Sequence, residues 1–93
     1  MAQQIQALQQ KLQETQRELA AAEVVGSASG GVVRVTLRGD HTCTRVEIDP
    51  EMLADVDHEM LQDLVLMAFN HAQEELTKLT EEKMGPFSSA LGM

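Results

Sequence analysis

The strongest constraint on the fold is a strict alternation of apolar and polar residues near the middle of the chain. In VRVTLR (residues 33–38) every second residue is Val or Leu and the others are Arg or Thr. A period of two is typical of a β-strand that is buried on one face. A second run, TRVEI (44–48), has the same period, and Gly39 and Asp40 begin the connection between them. The two runs therefore predict a β-hairpin.

The hairpin register predicts a cluster of arginines. A two-residue type II′ turn at Gly39 and Asp40, with Gly39 at positive φ, places Arg34 directly opposite Arg45. Arg38 then shares their face, and a slip of one residue would mix this polar face with the apolar one. Like charges opposite each other across a ladder are unfavourable. We therefore expect a counter-charge here, either carboxylates from this chain or its twin, or phosphate.

The first twenty or so residues predict a long helix with a narrow apolar stripe. Apolar residues recur there at alternating steps of three and four, as in a coiled-coil seam. A helix of about twenty residues is roughly 30 Å long, so we expect it to project and pair. Lys11 and Arg17 are each three residues from Glu14, and they either form ion pairs along the helix or contact a ligand. The stripe consists of Ile5, Leu8, Leu12, Leu19 and Ala22.

Turn-forming residues divide the rest of the chain. The segment VVGSASGG (24–31) begins with β-branched residues that can open a strand and continues into turn material. Asp49 followed by Pro50 ends the second hairpin strand and starts a short helical turn. Asp55 and Asp57 are candidate N-caps for the last helix.

The last helix is predicted from helical apolar spacing over residues 60–79. Its first half, as far as Phe69, is apolar on more than one side, so we expect it to pack on the sheet and against a second subunit. The Gly-Pro step at 85–86 is expected to end the helix. We therefore expect a single domain over residues 1–84 and a flexible tail over residues 85–93.

Composition limits the possible functions. The chain has 93 residues and a formal net charge of -8, which argues against general attraction to nucleic acid or anionic lipid, so any anion binding must be local. A domain this small buries a limited fraction of its surface, and we expect an oligomer. The single cysteine, Cys43, excludes an internal disulfide framework. No segment resembles a secretory signal or a membrane span, and we expect a cytoplasmic protein without membrane partners.

The sequence lacks the motifs of an enzyme or a cofactor-binding protein. GSASGG (26–31) is not followed by the Lys-Ser/Thr that a phosphate-binding loop needs. His41 and Cys43 would need further ligands to hold a metal, and His58 and His71 have no reason to converge on them. We expect no catalytic residues, no metal or other cofactor, and no small-molecule substrate.

Two longer stretches carry a family resemblance. They are GSASGGVVRVTLRGDHTCTRVEIDPEML (26–53) and EMLQDLVLMAFNHAQEELTKLTEEKM (59–84). With the Gln-rich first helix, they resemble the YbaB/EbfC family of small bacterial nucleoid-associated proteins over nearly the whole chain. The more specific elements are the glycine-rich run, the VRVTLRGDH strand and turn, the RVEIDPEML strand exit, and LVLMAFNHA on the last helix.

The resemblance implies an α+β fold and a DNA-binding function. The expected chain is α-β-β-β-α, with a three-stranded antiparallel sheet and two long helices that project like tweezers from a homodimer. The family binds DNA with limited sequence preference, alters its conformation, and contributes to nucleoid organisation and gene regulation in the cytoplasm. The middle of the last helix would lie at the dimer interface, with candidate residues Leu64, Val65, Met67, Ala68 and Phe69.

Two sets of cations are alternatives as the main DNA-binding surface. The family picture places DNA at the projecting helices. It nominates the cations Lys11, Arg17, Lys78 and Lys83. The accompanying polar contacts would be Gln6, Gln9, Gln10 and Gln13. The predicted hairpin face nominates Arg34, Arg38 and Arg45 instead.

We expect DNA binding to be weak and salt-sensitive. Members of the family often carry a longer, more lysine-rich N-terminal segment, whereas this chain begins almost directly in a Gln-rich helix with few cations. The alternative hypothesis is an acidic helical protein-protein interaction module without direct DNA binding, in which the arginines serve the dimer interface. Exposed, clustered cations would favour DNA binding, and individually paired cations would favour the alternative.

Overall fold

A three-stranded antiparallel sheet and two long helices make up the fold. The computed structural model describes residues 2–90. Neighbouring strands are also consecutive in the chain, so the order across the sheet is β1-β2-β3. The predicted α+β class is therefore confirmed, with one short additional helix after the sheet. The elements are α1 (Ala2–Ala21), β1 (Glu23–Ala28), β2 (Val33–Arg38), β3 (Cys43–Ile48), α2 (Pro50–Leu53) and α3 (His58–Ala90).

The core lies between the sheet and the first half of α3. The side chains of Val33, Val35 and Leu37 on β2 are almost completely buried, as the alternation predicts. Ala68 and Ala72 of α3 are fully buried in the same cluster. Small residues on the helix let its backbone approach the sheet closely, and burial of this apolar area is the main favourable contribution to folding.

Gly26 of β1 lies at the closest contact between sheet and helix. A Cβ atom added to Gly26 would overlap the backbone of Ala72 and the carbonyl of Ala68. The absence of a side chain at Gly26 therefore allows β1 to lie directly on α3. Nearby, the backbone N–H of Ser27 donates to Nδ1 of His71 at 2.9 Å, which ties the free edge of β1 to the same helix.

The β2–β3 hairpin has a different register from the predicted one. Arg34 lies opposite Glu47, and Arg45 lies opposite Thr36. The predicted pairing of Arg34 with Arg45 is therefore wrong. Along most of the hairpin the observed register differs from the prediction by two residues, and an even shift leaves each of these side chains on its predicted face.

The register differs because the turn is longer than predicted. Arg38 and Thr42 close the turn through a bond from the Arg38 N–H to the Thr42 carbonyl at 2.8 Å. Three residues, 39–41, lie between them, and the left-handed residue is His41, with φ of 70°, rather than Gly39. A bulge between Thr36 and Leu37 then adds an unpaired residue to β3. Turns of this kind, with a left-handed third residue, are common in hairpins.

The apolar stripe of α1 packs against α3 of the same chain. Leu8, Leu12 and Leu19 are half-buried, whereas Ile5 stays exposed. Both helices extend well beyond the sheet, and the molecule measures 64 × 21 × 16 Å. The stripe is therefore partly covered by α3, and α1 does not project alone.

The end of α1 is joined to the hairpin. The Gly39 N–H donates to the carbonyl of Ala22 at 2.9 Å. Gly39 also approaches the carbonyl of Leu19 so closely that a side chain could not be accommodated. Gly39 therefore has a packing role here, which differs from the turn role that the sequence predicted.

Aspartates begin both helices that follow the sheet. The Asp49 carboxylate accepts from the backbone N–H of Glu51 at 3.0 Å, and the Asp57 carboxylate accepts from that of Met60 at 2.8 Å. These are N-caps, as expected for both positions. Asp55 instead lies in the turn after α2, where its N–H donates to the Met52 carbonyl at 3.1 Å.

α3 is longer than predicted. The expected end at the Gly-Pro step is wrong, because the helix continues through Pro86 to Ala90. Proline removes one backbone donor from a helix, and Phe87, which follows Pro86, is buried. The rest of the expected tail, residues 91–93, lies outside the described residues.

Neither long helix, within residues 2–90, combines the length and apolar character needed to cross a membrane.

Candidate nucleic-acid interface

The face of the sheet that points away from α3 carries most of the hairpin's charged side chains. We call it the outer sheet face. α3 covers the opposite face of the sheet, and most side chains on the outer sheet face are exposed to solvent. Three arginines and two glutamates give this face a net charge of +1 on a chain whose net charge is -8. Its residues are Glu23, Val25, Ser27, Arg34, Thr36, Arg38, Arg45 and Glu47.

Glu47 supplies the counter-charge that the like-charged arginines require. Its carboxylate lies 3.1 Å from the Arg34 guanidinium and 3.6 Å from that of Arg45. The carboxylate therefore comes from the same chain and the same hairpin. Exposed ion pairs contribute only about 0–1 kcal/mol to stability, but they leave Arg34 and Arg45 partly neutralised.

Arg38 and Arg17 occupy a different environment. They line one shallow depression of about 490 Å³ at the junction between the end of α1 and the hairpin. Both side chains are exposed. Within residues 2–90, neither makes an ion pair with a carboxylate. The depression thus brings together one cation from each of the two sets that the sequence presents as alternatives.

The two carboxylates that line this depression bond to neutral donors. Glu23 accepts from the Thr44 hydroxyl at 2.9 Å, and Asp40 accepts from the Thr42 N–H at 2.9 Å. Hydrogen bonds from the side chain and backbone of Thr42 lower the pKa of Asp40, and the charge of Arg38 lowers it further. Asp40 is therefore ionised at neutral pH and is held within the turn.

The other helix cations are dispersed. Lys78 lies 3.4 Å from Glu75. Lys11 and Lys83 are exposed, and in the described part of the chain neither has a carboxylate partner. The possible pairs of Glu14 with Lys11 and with Arg17 are likewise not formed among these residues. Arg34, Arg45 and Lys78 are thus paired, while the remaining four candidate cations are free of carboxylates within residues 2–90.

Glutamines on α1 form a polar stripe that ends at Arg17. Gln6, Gln10 and Gln13 precede Arg17 at intervals of four, three and four residues, which places all four on one side of the helix. All four are exposed. We call this set the glutamine stripe. Gln9, the fourth glutamine named from sequence, lies beside it rather than on it.

The candidate dimer residues have unequal exposure. Ala68 is fully buried in the core of its own chain, so its side chain is not available to a partner. Leu64, Val65 and Phe69 are half-buried against that core. Met67 is the exposed member of the set, with 57% of its surface accessible.

Other large apolar residues on α3 and β3 are also exposed. Met60 and Leu66 lie on exposed sides of α3, with 53% and 59% of their surfaces accessible. Val46 faces the same side of the sheet as Val35 but is half-exposed, because α3 packs mainly on β1 and β2. The sequence predicts that this half of the helix is apolar on more than one side, but Met60, Leu66 and Val46 are not among its candidate interface residues.

The histidines and the cysteine are dispersed. Among the described residues, no three His, Cys, Asp or Glu side chains lie close enough together to hold a metal ion. His41 lies 3.3 Å from Gln73, and His71 bonds to β1 and lies 3.4 Å from Glu75. The exposed Cys43 contacts the backbone carbonyl of Arg45.

Comparison with known proteins identifies the family. A structure with the same fold is the crystal structure of uncharacterized protein HP0035 from Helicobacter pylori, with a TM-score of 0.73. It is 15% identical and is matched over 92% of this chain and 90% of its own. The family model described as the YbaB/EbfC DNA-binding family matches residues 1–91. With nearly the whole length matched, the chain belongs to the YbaB/EbfC family of DNA-binding, nucleoid-associated proteins.

Proposed function

We propose that this protein binds duplex DNA through phosphate contacts made by a few exposed cations. The observation that carries the proposal is the meeting of two arginines without carboxylate partners, Arg17 and Arg38, in one depression. Family membership supplies the ligand class. Phosphate contacts position a protein on DNA without reading bases, so limited sequence preference follows.

Binding is expected to be weak and strongly dependent on salt. Each phosphate contact lowers log K by about 0.9 per log unit of salt through counterion release. The net charge of -8 opposes the approach of DNA over most of the surface. Only local cation groups favour contact, so low ionic strength favours the complex.

The functional unit that we propose is a homodimer. Met60, Leu66 and Met67 leave an apolar surface exposed on α3, and Val46 leaves another on β3. Exposed apolar patches mark association surfaces in soluble proteins. A second copy would cover part of this surface. The half-buried Leu64, Val65 and Phe69 would contribute their remaining exposed area to the same interface. It would also double the number of cations that face DNA.

In the cell, such a dimer would act at the nucleoid in the cytoplasm. Contacts from two copies to one duplex would favour a particular path of the DNA, and in this way the dimer would alter DNA conformation. Changes of this kind along the chromosome would contribute to nucleoid organisation and to gene regulation.

One observation favours the alternative of an acidic protein-protein interaction module. Arg34, Arg45 and Lys78 are each paired with a carboxylate of the same chain. Pairing of this kind reduces their availability to phosphate. The alternative would gain support if the remaining cations also proved unimportant for DNA.

Fluorescence anisotropy of a labelled duplex tests the proposal. The protein is titrated at several salt concentrations, and its oligomeric state is measured in parallel by sedimentation. Saturable binding that weakens with added salt supports the proposed function. A folded dimer that leaves the anisotropy unchanged at the lowest salt contradicts it and favours the protein-interaction module.

A further inference from the structure

We infer that Arg17 and Arg38 together form one phosphate-contacting site, and that a DNA strand reaches this site along the glutamine stripe of α1. The inference rests on the proposed function and specifies where DNA lies. It replaces the choice between helix cations and hairpin arginines with a single path across the junction of α1 and β2.

The shape of the junction suits a phosphate group. Ala20 and Ala21 form part of the depression between the two arginines, and their small side chains leave it open. A guanidinium is planar and presents several N–H donors, so it can bond two phosphate oxygens at once. Two guanidinium groups that line one depression therefore offer several N–H donors to the phosphate oxygens of a strand lying there.

The two arginines are available to bind phosphate in this way. Within residues 2–90 neither is paired with a carboxylate, whereas Arg34 and Arg45 share Glu47. The acidic residues beside them, Glu23 and Asp40, bond to threonine donors. These carboxylates lower the local potential without blocking the guanidinium donors.

The junction is held together before any ligand arrives. The bond from the Gly39 N–H to the Ala22 carbonyl joins the end of α1 to the hairpin. This bond also engages a carbonyl at the helix end, where partial negative charge would otherwise oppose an anion. Because Arg17 and Arg38 project from joined elements, little ordering of the backbone is required on binding.

The glutamine stripe gives the strand a neutral route to the arginines. Gln6, Gln10 and Gln13 offer amide N–H donors to phosphate or base edges and carry no charge that repels DNA. Amide side chains cause little counterion release. Replacement of a stripe glutamine should therefore weaken binding without changing its dependence on salt.

The test compares two matched double variants in the full chain. Arg17→Ala/Arg38→Ala removes the proposed site, and Arg34→Ala/Arg45→Ala removes the same number of arginines from the paired group. DNA affinity is measured by anisotropy across salt concentrations, with circular dichroism and sedimentation to verify fold and assembly. We expect Arg17→Ala/Arg38→Ala to bind DNA about tenfold more weakly. The salt slope is the decrease in log K per log unit of salt. For Arg17→Ala/Arg38→Ala it should be smaller by about 0.9 for each phosphate that the variant no longer neutralises. Arg34→Ala/Arg45→Ala should change both the affinity and the salt slope less.

Two further variants separate the charge from the geometry of the site. Arg17→Lys/Arg38→Lys keeps the charges but not the planar donors, so we expect weaker binding with the salt slope retained. Glu23→Gln/Asp40→Asn keeps acceptors for the two threonines and removes the nearby negative charge. We expect it to bind DNA severalfold more tightly, a gain that misfolding would not produce.

The outcomes distinguish this inference from the proposed function. If the unmodified chain binds DNA but Arg17→Ala/Arg38→Ala keeps its affinity and slope, the inference is overturned and DNA binding stands. A larger decrease in affinity from Arg34→Ala/Arg45→Ala would also overturn it, in favour of the outer sheet face. If the unmodified chain does not bind DNA at the lowest salt, the proposed function fails and the inference fails with it.

Discussion

Nδ1 of His71 on α3 accepts a hydrogen bond from the backbone N–H of Ser27 on β1 at 2.9 Å. A donor on the free edge of the sheet is thereby satisfied by a side chain from the helix that covers the core. The same ring lies 3.4 Å from Glu75 through its other nitrogen. His71 therefore has a structural task, although from sequence it is only a helix residue without a partner.

Replacing His71 should destabilise the protein without involving the DNA surface. His71→Ala leaves the half-buried Ser27 N–H without its acceptor, and we expect a loss of about 1–2 kcal/mol in the free energy of unfolding. Urea denaturation measures it. His71→Asn can offer an acceptor near the same place and should recover part of the loss. Equal stability of His71→Ala and the unmodified protein would show that the bond contributes nothing.

Gly26→Ala should be severely destabilising. The new Cβ would overlap the backbone of Ala72, and the strand cannot retreat without opening the core. We expect a loss of about 3 kcal/mol or more, as for other overpacked cores. Gly85→Ala is the matched control, since nothing lies within 4 Å of its added Cβ. Alanine there should stabilise α3 by about 0.5–1 kcal/mol, and thermal or urea unfolding distinguishes the two variants.

The Asp40 carboxyl should titrate below its ordinary pKa of 3.8 because of Thr42. Since the pKa is lowered by folding, any stability gained from Asp40 is present above pH 3.8 and lost as the pH falls through the folded-state pKa. Thr42→Ala removes the side-chain hydrogen bond, the largest cause, and should raise the pKa toward 3.8. NMR titration measures the shift. Thr42→Ser keeps the hydroxyl and should behave like the unmodified chain.

Charge on the exposed side of α3 should dissociate the proposed dimer. Leu66→Glu places a carboxylate in the apolar patch, where burial against a second copy would leave it unpaired. We expect the dimer dissociation constant to rise by at least about tenfold, as measured by sedimentation equilibrium. Gln16→Glu adds the same charge at an exposed polar position of α1 and should have a small effect. A dimer that tolerates Leu66→Glu would place the interface elsewhere.

The local pattern of the sequence predicted the elements and the faces of the sheet. Alternation placed the valines of β2 in the core and the arginines on the opposite face, because side chains of a strand point to opposite sides in turn. Helical spacing and aspartate caps predicted α1 and the start of α3 for similarly local reasons. Between Val33 and Thr36 even the wrong register left the faces correct, since the pairing there shifted by two residues.

Tertiary structure decided the features that depend on residues far apart in the chain. The observed pairing places Glu47, not Arg45, opposite Arg34, and His41 of the turn lies 3.3 Å from Gln73 of α3. Burial of Phe87 accompanied the continuation of α3 past Pro86. Arg17 and Arg38 line one depression at the place where Gly39 packs against the end of α1. Periodicity reports which way a side chain faces, whereas the packing of one element on another determines which side chains become neighbours.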